Sequence, residues 1–178
     1  WLLHQTLPGD QIRLFTASVT HVYAFALIIT GPIQIILTRY TADCISLKHR
    51  DRIYPSFKGG VLLASGLSAL AGGYFFFRLV PSPPLFAACA AGLLVYVSCI
   101  FIASVYLSAL RKYYGIVSAF AVGYGFGVIA AWQLAIRYGI TGAMAGLLMG
   151  HLVLFGLLAI CIRGEIRSSL GSSFAFLR

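Results

Sequence analysis

Acidic side chains are almost missing from this chain. Of 178 residues only Asp10, Asp43, Asp51 and Glu165 are acids, and charged residues of both signs make up 10%. A soluble domain carries about 25%. The shortage excludes much chemistry. There is no carboxylate pair for acid–base work and no Asp-x-Asp to hold a metal with a nucleotide sugar. No acid stands near His21 or His151 to complete a Ser-His-Asp arrangement. Cysteine is sparse as well. Cys44, Cys89, Cys99 and Cys161 show no C-x-x-C or Cys/His spacing, so zinc is not expected, and they read as small apolar packers in a reducing setting. Strand-like alternation is absent over the long apolar stretches, which excludes a membrane barrel. No separate basic domain exists to grip nucleic acid. No catalytic residue, metal site or cofactor is expected, and the chain is not read as an enzyme.

What remains is apolar sequence, 60% of the residues at mean hydropathy +0.93. A soluble core cannot absorb this much, whereas a bilayer can, because each spanning helix needs roughly 20 apolar residues. Five segments have that length: A, 15–38; B, 60–80; C, 84–110; D, 114–136; and E, 140–162. In lipid the backbone must satisfy itself, so each is expected to be helical. The expectation is therefore an all-α integral membrane protein with about five transmembrane helices. The connections B–C ("PSPP") and D–E (near "RYG") are short, which makes their neighbours antiparallel.

The basic residues set an orientation. Arg39, Lys48, Arg50, Arg52, Lys58, Arg111, Lys112, Arg163, Arg167 and Arg178 fall on one side of the expected bundle, and only Arg13, Arg78 and Arg137 lie near the other. The positive-inside rule places the A–B loop, the C–D loop and the C-terminus in the cytoplasm. The net charge of +9 is thus a topology signal, with contact to anionic lipid heads. The opening "WLLHQTLPGD" reads as the tail of an earlier hydrophobic segment, and the polar "GEIRSSLGSS" continues past the last one. A fragment of a longer chain is expected.

Segment A carries a row of Thr16, Thr20, Tyr23, Leu27, Thr30 and Gln34, spaced to share one helix face. All but Leu27 are polar. Thr and Tyr can bond to their own backbone or to a neighbouring helix, and the same face can instead line a wet cavity. A helix break is expected at Gly31-Pro32, where the carbonyl freed by Pro32 needs water or Gln34 as a partner. Small residues recur every fourth position in D (Ala119, Gly123, Gly127, Ala131) and in E (Gly142, Gly146, Gly150), the pattern of close helix–helix seams. The "GYGFG" run in D permits bending; no strand precedes it, so it is not a nucleotide loop. His151 lies inside E, and an intramembrane ionisable residue is a functional candidate by default. Gln133 lies near the outer end of D. The transport-path candidates are Thr20, Tyr23, Thr30, Gln34, Gln133 and His151.

The stretch "LIITGPIQIILTRYTADCISLKHRDRIYPSFKGGVLL" resembles the second helix, basic loop and third-helix start of the PelG family, inner-membrane proteins of Pel exopolysaccharide export within the multidrug/oligosaccharidyl-lipid/polysaccharide exporter superfamily. The specific part is T-G-P-x-Q, the T-R-Y-x-A-D that follows, and a basic loop ending in an aromatic and glycines. "YGITGAMAGLLMG" is similar to the sixth-helix opening of many polysaccharide exporters. The resemblance implies that residues 1–178 are a partial N-terminal bundle, with segments A–E as helices two to six of six. It implies transport of a polysaccharide across the bacterial inner membrane, beside a cytoplasmic glycosyltransferase and other Pel membrane subunits. Two alternatives stay open. One is another exporter of the superfamily, moving lipid-linked oligosaccharides or, coupled to cations, drugs. The other is a membrane scaffold with no transport path.

Overall fold

The structure, a computed structural model, describes residues 8–47, 49, 52–110 and 113–175, with side chains to Gly164. Lys48, Arg50, Arg111, Lys112 and Arg178, the side chain of Arg167 and the opening Trp1–Leu3 lie outside the described residues. Four helices follow in order: α1 (Gly9–Ser46), α2 (Ile53–Tyr74) with a π-helical turn at Phe75–Leu79, α3 (Pro84–Ala109) and α4 (Tyr113–Ala175). The described elements are all helical, and four stretches are long and apolar enough to cross a membrane. The fourth is a hairpin. At Gly139 the backbone takes φ 61° and ψ −142°, off the helical path, a conformation that glycine adopts without strain. Residues 113–138 and 140–175 thus form two antiparallel arms, and the apolar passes number five, as expected.

Except for α3, the helices are longer than the apolar windows suggested. α1 extends several residues past both ends of 15–38, and α2 begins at Ile53. Hydropathy marks the part that lipid covers. It does not mark where hydrogen bonding stops, and polar turns continue a helix into water. Asp10 in the first turn of α1 favours that start through the helix dipole.

The expected helix break is corrected. α1 runs through Gly31 and Pro32 as one helix. A proline removes one backbone hydrogen bond, here to the carbonyl of Ile28, and the helix propagates on either side. The amide of Gln34 does not serve that carbonyl. It donates to Thr30 Oγ1 at 2.9 Å.

α3 is the centre of the bundle. It is the most apolar helix and the most enclosed, with 56% of its apolar window buried, and it packs against α1, α2 and α4. A helix apolar all round needs neighbours all round. Its last turns join Ile53 and Phe57 of α2 and Leu158 and Ile162 of α4 at one end. Its first turns join Val22 of α1, Phe76, and Ile140 and Met144 of α4 at the other. Outward faces carry residues such as Ile28, Leu62 and Leu70, the last 76% exposed. Apolar surface of this extent suits lipid and further protein, not water.

The hairpin arms meet along the small-residue ladder. Ala119, Gly123, Gly127 and Ala131 on one arm and Gly142, Gly146 and Gly150 on the other are all buried. A Cβ built on Gly123 would lie 3.0 Å from Leu154 Cα, one on Gly127 3.2 Å from Gly150 Cα, and one on Gly146 2.5 Å from Ala131 Cα. One on Gly142 would strike the carbonyl of Leu134. As the numbers rise on one arm they fall on the other, which is the register of an antiparallel pair in backbone contact.

A candidate polar site between the first helix and the hairpin

The polar row of α1 divides into three. Thr16 and Thr20 are exposed, and Thr20 gives its hydroxyl proton to the Thr16 carbonyl at 2.9 Å. Leu27 in the middle is 57% exposed, whereas Thr30 is fully buried. Thr30 donates to the Ala26 carbonyl at 2.7 Å and accepts from Gln34. Gln34 is half-buried. Thr30 is therefore a support on which Gln34 stands. Its own hydroxyl is committed within the helix.

Tyr23 leaves the row and joins the hairpin. Its hydroxyl lies 2.8 Å from His151 Nε2 and 3.0 Å from the hydroxyl of Tyr124. His151 is 2% exposed and its Nδ1 lies 2.8 Å from the Leu147 carbonyl. The rings pack edge to face, with His151 5.4 Å from Tyr124 and 6.1 Å from Tyr23, centroid to centroid. Three apolar passes thus contribute one polar group each. α1 otherwise touches α4 little and rests mainly on α3, so this cluster is the principal polar tie between α1 and the hairpin.

Of the six candidates, Tyr23 and His151 come together, Thr30 and Gln34 form a second pair further along α1, and Thr20 and Gln133 stand exposed and apart. Sequence reasoning missed Tyr124. A signal existed: the small-residue ladder, read as an antiparallel register, sets position 124 across from the turn that carries His151.

A groove of about 370 Å³ opens between α1 and α2 near the basic end, lined by residues such as Ile33, Leu37, Gly60 and Leu63. Its lining is apolar. At the same end Arg163 Nε donates to Tyr54 Oη at 3.1 Å, and Lys58 Nζ sits 4.7 Å from the centre of the Tyr54 ring. The Arg163 bond fastens α4 to α2, and the Lys58 contact lies within α2. Cys44 and Cys99 are buried, Cys89 and Cys161 half-buried, all as free thiols.

Helices of this length and apolarity, packed as antiparallel passes with polar groups at membrane depth, define a polytopic α-helical membrane protein. Within that class the match is specific. All of residues 1–178 match the PelG family, described as "Putative exopolysaccharide Exporter (EPS-E)", and the chain belongs to that family. Comparison with curated proteins and with solved structures gave no match.

Proposed function

We infer that the chain forms part of the path by which an exopolysaccharide crosses the bacterial inner membrane, from the cytoplasm outward. The observation that carries the reading is the polar face of α1, which holds Tyr23 and Gln34 half-buried at membrane depth in a protein of an exporter family. A sugar polymer offers many hydroxyls, so Thr, Tyr and Gln suit it better than fixed charge. An apolar Leu27 on that face fits the apolar faces of sugar rings. Thr20 and Gln133 are taken as outer contacts of the path, and Thr30 as the support of Gln34. A glycosyltransferase on the cytoplasmic side and other membrane subunits of the export system are the expected partners. Deleting the coding sequence should abolish secreted polymer, and restoring the full-length protein should return it. Undiminished secretion in the deletion strain would end this reading.

The orientation has its own test. The basic end gathers Arg39, Arg52, Lys58 and Arg163, where α1 and α3 finish and α2 and α4 begin; we place it in the cytoplasm. A cysteine at position 48 should resist an impermeant thiol reagent in intact cells, and one at position 82 should react. Equal labelling at both would reverse the topology.

A further inference from the structure

The cluster of His151, Tyr23 and Tyr124 has a direction. A carbonyl oxygen only accepts, so the bond from His151 Nδ1 to the Leu147 carbonyl puts a proton on Nδ1. A second proton on Nε2 would make a buried cation, which requires a partner charge. Glu165 lies fourteen residues along α4 from His151, about 20 Å at 1.5 Å per residue, and among the described residues of α1 the acids are Asp10 and Asp43, which lie thirteen and twenty residues from Tyr23. At 1.5 Å per residue that is about 20 and 30 Å. The imidazole is therefore neutral and Nε2 is an acceptor. Tyr23 must give its proton to Nε2 across 2.8 Å. Having one proton, Tyr23 can only accept from Tyr124 across the 3.0 Å contact. The hydroxyl proton of Tyr124 is then spent inward, and its oxygen keeps a lone pair with no proton to offer. His151 is 2% exposed and Tyr124 38%, so the chain runs from the buried core to an exposed end.

We propose that Tyr124 is an acceptor contact for donor groups of the transported polymer, its polarity fixed by Tyr23 and His151 as positioning residues. The site takes a sugar hydroxyl or amide N–H and discriminates against a group that can only accept. The proposal rests on the export reading and names one chemical requirement of that path. Linked hydrogen bonds polarise one another, so an acceptor at the end of this chain is stronger than a lone phenol. Sequence separation hides the site, since 101 and 128 residues divide Tyr23 from its two partners.

The test uses the purified full-length protein, a neutral oligosaccharide and the same oligosaccharide with every hydroxyl O-methylated, which can accept but not donate. The native protein should bind the free sugar more tightly than the methylated one by about fivefold or more, fivefold being the ratio expected for one net hydrogen bond. Tyr124→Phe should narrow that preference by about fivefold, the share of one hydrogen bond, and leave whatever other polar side chains of the path contribute. Tyr23→Phe should act differently. It frees the Tyr124 proton to point outward, so binding of the methylated sugar should rise. His151→Gln, whose amide oxygen can still accept from Tyr23, should keep more of the preference than His151→Phe. A native protein that does not distinguish the two sugars, or a Tyr124→Phe protein whose preference equals the native one, overturns the proposal. Secretion separates the two readings. If deletion of the protein stops secretion while Tyr124→Phe binds and secretes as native, the acceptor site falls and export stands. If deletion leaves secretion intact, the export reading itself falls.

Discussion

Replacing Gly146 with leucine should remove most of the folded protein from the membrane, and even Gly146→Ala should lower its melting temperature by several degrees. A Cβ at this position would lie 2.5 Å from the Ala130 carbonyl carbon and 2.5 Å from Ala131 Cα. Both are backbone atoms of a helix, so no single side chain can turn aside to make room. The arms must separate along their length. That separation weakens the contacts at Gly123, Gly127, Gly142 and Gly150, where backbone again faces backbone or the stem of Leu154. Between helices in lipid, close van der Waals packing is a main source of association, and a small radial gap forfeits much of it. Overpacking ordinarily costs about 1–3 kcal/mol; the leucine change at a backbone contact should exceed that range. The controls are in the same hairpin. A Cβ at Gly125 or Gly156 meets nothing within 4 Å, so Gly125→Ala and Gly156→Ala should leave level and melting temperature unchanged or slightly raised, as alanine favours helix. Fluorescence-detected size-exclusion chromatography after a heating series would measure all of them. A Gly146→Leu protein with native yield and native melting would show that the arms do not meet at this seam.

That seam was readable because the sequence pattern is the mechanism: one small residue per turn on two neighbouring segments. The five apolar passes were readable for a similar reason, since length and hydropathy are properties of the segment itself. The failures are of another kind. Gly31-Pro32 suggests a break when seen alone, but one missing backbone bond does not end a helix that α3 supports on one side. The π-helical turn at Phe75–Leu79 has no local mark that separates it from the apolar run around it. Thr30 and Gln34 share a face in any helical drawing, yet one is sealed and the other is not, because burial depends on what other passes place beside them. Tyr124 sits in a glycine-rich apolar stretch and takes on meaning only when α1 brings Tyr23 against it.

The triple change Tyr23→Phe, Thr30→Val and Gln34→Leu should leave the protein in the membrane at near-native level and reduce secreted polymer severalfold. The two halves of the outcome have separate causes. Gln34 bonds to Thr30, and Thr30 bonds to Ala26, all within α1. Among the described residues neither side chain makes a polar bond to another helix, so losing them removes little of what holds the bundle together. Valine matches threonine in shape at the sealed position, and leucine at position 34 adds apolar surface that lipid or packing accepts. Only Tyr23 reaches across, through its contacts with His151 and Tyr124. Interhelical hydrogen bonds in membranes average about 0.6 kcal/mol. Stranding the buried Nε2 of His151 adds a penalty of about 1–3 kcal/mol, too little alone to undo five packed passes. If this face served only to join helices, the polar groups on it would point across to neighbours. At Thr30 and Gln34 they do not: Thr30 is sealed and supports Gln34, and the export reading assigns Gln34 to what passes beside α1. Membrane-resident protein and secreted polymer, measured together for the single and triple variants, check the prediction. Native secretion from the triple variant would remove the three residues from any transport role, and lost protein would return them to a structural one.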